Sequence, residues 1–312
     1  MKPRTNIKVV GIGGAGGNAV SRMASAKIQG VELIALNCDI QDLKKTKAAK
    51  TLQIGRNLTK GLGAGMNPEI GRLAAEENKE EISELLKGAD MVFLACGLGG
   101  GTGTGATPVV AELAKQAGSL VVVVATMPFS FEGIQRHQVA KTALATLESK
   151  IDTLLIIPND KILTQGEKNI SLLSAFWKCD DVLRQAVQGI TDLILLPGII
   201  NVDFADLKAI MRNSGPAFFG QGQAKGERRA ETAVNLAINS PLLDFSISGA
   251  KGILFNISGG DDLSLSEISE ASKIITKNAD NRAKIVFGAV HDKRLPRGEI
   301  KITVIATGFG KK

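Results

Sequence analysis

The stretch that most limits how this chain can fold is Ala95–Pro108, reading A-C-G-L-G-G-G-T-G-T-G-A-T-P. The apolar run Met91–Leu94 before it has the length of a buried strand. Thr107 and Pro108 after it predict a helix start, with Thr107 as cap and Pro108 at the first helical position. A strand, a glycine-rich turn and a helix in that order offer free backbone N–H groups and a positive helix end to an anion. Gly99, Gly100, Gly101, Gly103 and Gly105 have no side chains, so a polyphosphate can lie on the backbone itself. Thr102 and Thr104 add hydroxyl donors. A flexible linker fits poorly, because such linkers rarely sit between a buried strand and a capped helix.

Two further loops have the same character. Ile7–Ile12 is an apolar run entering Gly11-Ile12-Gly13-Gly14-Ala15-Gly16-Gly17-Asn18, with a helical pattern after it. Gly11, Gly13 and Gly16 form G-x-G-x-x-G, and a second strand, Val31–Leu36, ends in Asn37-Cys38-Asp39. An acid about twenty residues past the glycines is what a nicotinamide-dinucleotide site requires, so these residues leave an NAD-dependent dehydrogenase open. The third loop, Gly61–Glu69, leads through Asn67 as cap and Pro68 into a helix expected to run to about Leu86. Leu120–Thr126 and Leu154–Ile157 read as buried strands, and the second ends in Pro158-Asn159-Asp160. Strands alternating with helices predict a doubly wound, Rossmann-like α/β domain, with its loops along one edge of a parallel sheet. No G-x-x-x-x-G-K-[ST] occurs, so phosphate charge there must be met mostly by backbone dipoles and metal.

Helical spacing from Phe176 to Leu196, stopped by Pro197-Gly198, predicts a helix about 30 Å long that joins two domains. Asn201-Val202-Asp203-Phe204-Ala205-Asp206 follows, where Asp203 is either a helix cap or one of two converging carboxylates. Beyond it, Ala217–Gly222, Gly252–Ser258, Ala283–Val290 and Glu299–Thr307 read as strands, the last two with one wet face. Ser264–Lys277 reads as a capped helix. Together they predict a smaller α+β domain. The expected boundaries are 1–175, 176–199 for the central helix, and 200–312.

At 312 residues and 44% hydrophobic, the chain is long enough for two such cores. Cys38, Cys96 and Cys179 are far apart without C-x-x-C, which predicts reduced core thiols and no disulfide frame or zinc site. No other cluster has metal-ligand spacing, and His137 and His291 read as ordinary residues. The basic start at Met1–Arg4 leads into a strand, not a signal peptide. The longest apolar run, Leu120–Met127, falls well short of the ~20 residues that span a bilayer. The net charge of +7 sits in clusters such as Lys44–Lys47, Lys225–Arg229 and Asp292–Arg297. Acids, glycines and alanines interrupt these clusters and no aromatics interleave, which predicts a solvated surface and no specific nucleic-acid partner.

Gly99–Gly105 resembles the signature loop of the tubulin/FtsZ family of filament-forming GTPases. The similarity continues in order through Gly11–Asn18, Asn37–Asp39, Gly63–Gly71, Pro128–Arg136, Pro158–Asp160, Phe176–Leu183 and Asn201–Asp206. The wording is closer to the bacterial type than to tubulin. The resemblance implies a GTPase that polymerises head to tail and forms the cell-division ring, in the cytoplasm at mid-cell. Its ligands would be GTP and GDP, with Mg2+ held mainly through the phosphates. Gly14, Ala15, Gly16, Gly17, Asn18, Gly101, Thr102 and Gly103 would hold phosphates, and Asn37 and Thr104 would also belong to the GTP site. Ala64 and Gly65 would sense the γ-phosphate. Glu132 would meet the ribose and Arg136 the ribose–phosphate side. Asn159 and Asp180 would read guanine, with Phe176 packed on it. Asn201, Asp203 and Asp206 would reach into the next subunit's site and orient the attacking water. A scaffold of the same fold with weak hydrolysis is the second reading. There are departures: Cys38 where a threonine is expected, Trp177-Lys178 beside the base, and the basic net charge. The linker and tail that bind membrane adaptors in this family are not among the 312 residues, which implies a trimmed chain or a different tether.

Overall fold

In the computed structural model, residues 5–164, 171–196, 198–239, 247–292 and 294–309 are described. Met1–Arg4, Pro197, Lys293 and 310–312, to which the sequence assigned a basic start, a helix stop, part of a basic cluster and the chain end, lie outside them. The chain divides into two compact units, Met1–Gln188 and Gly189–Lys312.

The first unit begins with β1 (Ile7–Ile12), α1 (Gly13–Ser25), β2 (Val31–Asn37), α2 (Ile40–Lys45), β3 (Lys50–Gln53) and α3 (Arg56–Thr59). It continues with α4 (Pro68–Glu77), α5 (Lys79–Leu86), β4 (Met91–Gly97), α6 (Thr102–Gln116), β5 (Leu120–Met127), α7 (Ile134–Glu148), β6 (Thr153–Pro158) and α8 (Asn159–Thr164). The six strands lie in the order β3-β2-β1-β4-β5-β6, and every pairing is parallel. Sheets of this kind carry helices on both faces, so central strands are apolar throughout. Leu120–Ala125 of β5 accordingly has no residue more than 1% exposed. The strand order reverses between β1 and β4, which is where doubly wound folds place ligands.

α9 (Leu172–Leu195) carries the chain across the division at 188/189. The second unit then has β7 (Gly198–Ile200), α10 (Phe204–Met211), β8 (Gly215–Lys225), α11 (Arg229–Ile238), β9 (Gly252–Gly259), α12 (Leu265–Lys277), β10 (Lys284–His291) and β11 (Glu299–Thr307). Its strands run in the order β8-β11-β9-β10-β7. Only β9 and β10 are parallel; the remaining pairs are antiparallel. α12 starts where expected. Ser264 accepts from the Glu267 N–H at 3.3 Å and Glu267 accepts from the Ser264 N–H at 2.9 Å, a reciprocal cap.

Four sequence expectations need correction. The helix after Ala95–Pro108 starts at Thr102, so Thr107 is no cap and Pro108 lies inside it. The Thr107 hydroxyl donates to the Gly103 carbonyl (2.5 Å), and the glycines themselves wind into the first turns. The helix expected to run from Pro68 to Leu86 is two helices, broken at Asn78. Asn78 is buried, and its side-chain oxygen accepts from the Gly55 N–H at 2.8 Å, a bond that pins the break. The long helix begins at Leu172, not Phe176. Finally, β11 has no wet face over most of its length: Ile300, Ile302, Val304 and Ala306 on one face pack with α11, and on the other Thr303 lies against Gly189 of α9 and Thr307 donates to the Ile210 carbonyl. β10 is wet at its start on both faces and buried from Gly288 to Val290.

Candidate functional site

The three glycine loops of the first unit meet at the strand reversal. α1 follows β1 directly, so its first turn is Gly13, Gly14, Ala15 and Gly16. A Cβ on Gly13 would lie 2.9 Å from the Gly103 nitrogen, so the first loop rests on the second through bare backbone. A Cβ on Gly101 would lie 2.7 Å from the Ala64 Cβ and 3.0 Å from the Asn67 nitrogen, which brings in the third. A side chain at either position would push the N–H groups apart. The result is two helix N-termini, α1 and α6, opening side by side at the sheet edge, with a third, α4, capped by Asn67 and packed against α6. Backbone dipoles so arranged attract an anion without a lysine.

Side chains brace this floor. The Thr104 hydroxyl accepts from the Gly99 N–H at 3.0 Å and keeps its own proton to donate elsewhere. Asn37, at the end of β2, accepts from the Asp39 N–H and donates to Asp42 at 2.9 Å. Asp39, the acid a dinucleotide site would turn to a ribose, instead caps α2 by accepting from the N–H groups of Gln41 and Asp42. Cys38 is fully buried; burial raises its thiol pKa, and a hydrogen bond with Thr102 partly offsets that. Gly14, Asn18 and Gly65 are exposed, while Gly16, Gly17, Ala64 and Gly101–Thr104 are buried beneath them.

A second group of side chains continues from the floor. Gly99 abuts the Arg136 backbone, since a Cβ there would stand 2.8 Å from the Arg136 carbonyl oxygen. Arg136 pairs with Glu132 at 2.5 Å, and Glu132 also accepts from the Phe129 N–H at 2.9 Å. Phe129 meets Phe176 edge to face, with ring centroids 5.2 Å apart. Phe176 keeps more than a third of its surface exposed. Asn159 is buried at the start of α8, and no donor among the described residues reaches its Oδ1.

Asp180, buried on α9, is held by the Arg22 Nε at 3.1 Å. Burial pushes its carboxyl up to about 6, against the pull of Arg22. The same guanidinium lies over the Trp177 ring, 4.4 Å from its centroid, in a cation–π contact. Arg22 was not among the residues singled out from sequence. Its signal was there: it stands four positions after Asn18, on the same face of α1. Trp177, noted from sequence only as a departure, is the ring that Arg22 covers.

The remaining candidates belong to the second unit. Asn201 accepts from the Gly198 N–H at 2.7 Å and closes the turn after β7. Asp203 stands at the N-cap position of α10 without a side-chain capping bond, so its carboxylate is not consumed by the helix. Asp206 lies in the first turn of α10, about half exposed and 3.9 Å from the Lys284 ammonium. Val202 between them is buried, while Asn201 and Asp203 face solvent. The turn thus anchors one apolar side chain and presents its polar ones outward. Among the described residues, no three His, Cys, Asp or Glu side chains are placed to hold a metal, and no helix is long and apolar enough to cross a membrane.

Comparison with known proteins bears on both units. The model of the tubulin/FtsZ family GTPase domain matches residues 6–167, and that of the FtsZ family C-terminal domain matches residues 215–310. Among solved structures, an empty FtsZ dimer from M. jannaschii is 45% identical, with a TM-score of 0.93 over 99% of this chain and 89% of that one. CetZ2 from Haloferax volcanii, solved as a GTPγS-bound protofilament, is 22% identical with a TM-score of 0.83 over 99% and 94% of the two chains. CetZ1 from the same organism, a GDP-bound monomer, is 21% identical with a TM-score of 0.85 over 98% and 95%. The CetZ likenesses speak to fold alone.

Proposed function

The chain belongs to the tubulin/FtsZ family of GTPases, and from that premise we propose that each copy carries two halves of an active site used by different neighbours in a head-to-tail filament. The observation that carries the reading is the open acidic turn at 201–206. Asp203 makes no capping bond and faces solvent, and Asp206 is half-exposed with Lys284 3.9 Å away.

In this reading Gly14–Asn18 and Gly101–Thr104 hold the triphosphate through backbone N–H groups, and Ala64 and Gly65 stand at the γ-phosphate end. Asn37 fixes the floor through Asp42. Glu132 and Arg136 meet the ribose and its phosphate side, and Phe176 packs on the base. Guanine offers N1–H and N2–H donors, which the two oxygens of an ionised Asp180 can accept together. The Asn159 Oδ1, without a donor among the described residues, is a further buried acceptor suited to the exocyclic amine, so the residues present fit a guanine nucleotide. Mg2+ held through the phosphates would supply charge neutralisation at the bond that breaks. Phosphoryl transfer needs chiefly positioning and charge neutralisation, so Asp203 and Asp206 of one copy, assisted by Asn201, orient water on the γ-phosphate of the next. The cellular role would be that of a cytoplasmic division-ring protein at mid-cell, working with membrane adaptors.

The test is GTP turnover per subunit against protein concentration. It rises with concentration in the wild type and is lost in Asp206→Ala. Turnover per subunit independent of concentration refutes the shared site. Filaments with negligible phosphate release would favour the scaffold reading.

A further inference from the structure

Asn256 lies in the middle of β9, flanked by Phe255 and Ile257, and is only 3% exposed. Its Nδ2 donates to the Ser258 hydroxyl at 3.0 Å, which fixes which way the amide faces. Its Oδ1 finds no donor among the described residues. A buried acceptor left without a partner is costly, and native chains rarely keep one without a use.

The neighbours of that oxygen point to the use. In the β9–β10 ladder, Asn256 pairs with Gly288. A Cβ on Gly288 would lie 3.1 Å from the Asn256 Oδ1, 3.1 Å from the Val202 Cγ2 and 3.4 Å from the Ile200 carbonyl oxygen. The bare backbone at Gly288 therefore lets the amide oxygen and the root of the acidic turn come close together, with no room for a methyl group between them. Gly288 is not in the left-handed region, so backbone conformation does not demand glycine there; the space does. The root is also short. β7 is three residues long and pairs with β10 across a register shift at Ala289/Val290.

We propose that Asn256 is a positioning residue for the turn that carries Asp203 and Asp206. Its spare amide oxygen takes a backbone N–H of the 201–203 stretch when that turn closes on a neighbouring copy's phosphate. The proposal rests on the reading of the turn given above. Asn256 touches no substrate; it sets where the two carboxylates stop.

Two variants test it in the full chain. Asn256→Leu keeps the shape and removes the acceptor, and Gly288→Ala wedges a methyl between the acceptor and the turn while leaving the acceptor in place. A displacement near 1 Å at a reacting centre can cost on the order of a hundredfold, so kcat for GTP should fall about tenfold or more in both. GDP affinity, read from Trp177 fluorescence, and polymer sedimented with a slowly hydrolysed GTP analogue should stay near wild type in both variants, as should the melting temperature of Asn256→Leu. A purely structural role would lower the melting temperature or the polymer yield and leave kcat per sedimented subunit unchanged, and that outcome overturns the proposal. If Asn256→Leu does not fold, Gly288→Ala decides alone. Asp206→Ala runs alongside. Full turnover in Asp206→Ala would defeat the reading of the turn itself, whereas its loss with unchanged kcat in the two variants defeats only the role of Asn256.

Discussion

Lowering the pH from 7 to 5 should weaken guanine-nucleotide binding through one residue. Burial raises the Asp180 carboxyl to about 6, and only its ionised form offers two acceptors to the N1–H and N2–H of guanine. With that midpoint, the charged fraction falls from about nine-tenths at pH 7 to about one-tenth at pH 5. Apparent affinity scales with the competent fraction, so the Asp180 contribution is a weakening of about tenfold. The single tryptophan of the chain, Trp177, lies beneath Arg22, which itself holds Asp180, so its emission reports the event directly. The assay is titration of GDP at each pH in wild type and in Asp180→Asn. The terminal phosphate of GDP also titrates in this range, but its effect is common to both proteins. The steeper wild-type slope isolates Asp180; parallel slopes would refute the argument. The same shift has a stability consequence of fixed sign. A carboxyl raised from its ordinary value near 4 to about 6 binds protons in the folded state first, so this group's contribution to stability falls as pH rises between those values.

Replacing Arg22 by methionine removes the positive neighbour of Asp180, so the pH midpoint of GDP binding should move upward; a downward move would contradict the electrostatic account. Gly105→Ala would place a Cβ 1.8 Å from the Pro68 carbonyl oxygen and force α4 off α6. The expected loss is about 2–3 kcal/mol in a denaturant titration, as for other overpacked cores. The Cys96 and Cys179 thiols are pushed by burial to about 11 and 12, and Cys38 is fully buried with its pKa raised. All three should therefore resist an aromatic disulfide reagent at pH 8 until the protein is unfolded.

Much of this architecture was legible because the glycines and the β-branched runs carry it. Leu120–Thr126 can only be a strand covered on both faces, and three glycine loops leading into helices can only serve close backbone approach, although the third follows the short helix α3 and not a strand. What escaped depended on contacts between distant residues. Pro108 and Thr107 look like a helix start locally, yet α6 gains two earlier turns because its glycines pack against α1 and α4. Asn78 breaks a continuous helical pattern through a bond to Gly55, more than twenty positions away. Arg22 gains its meaning only when α9 is brought beside α1. Asn256 sits in an apolar run where one polar residue carries no periodic signal, and only the pairing with Gly288 reveals what its oxygen faces.

The claim on which the account turns is that nucleotide and acidic turn come from different copies. Two defective variants test it together: Asp206→Ala, with an intact nucleotide half, and Asp180→Asn, with an intact turn, at a GTP concentration that leaves Asp180→Asn unsaturated. Each alone should be nearly inactive. Mixed in equal amounts, random head-to-tail contacts should restore about a quarter of wild-type turnover, because one contact in four joins two good halves. A mixture no more active than its components would place the whole site within one copy and contradict the account.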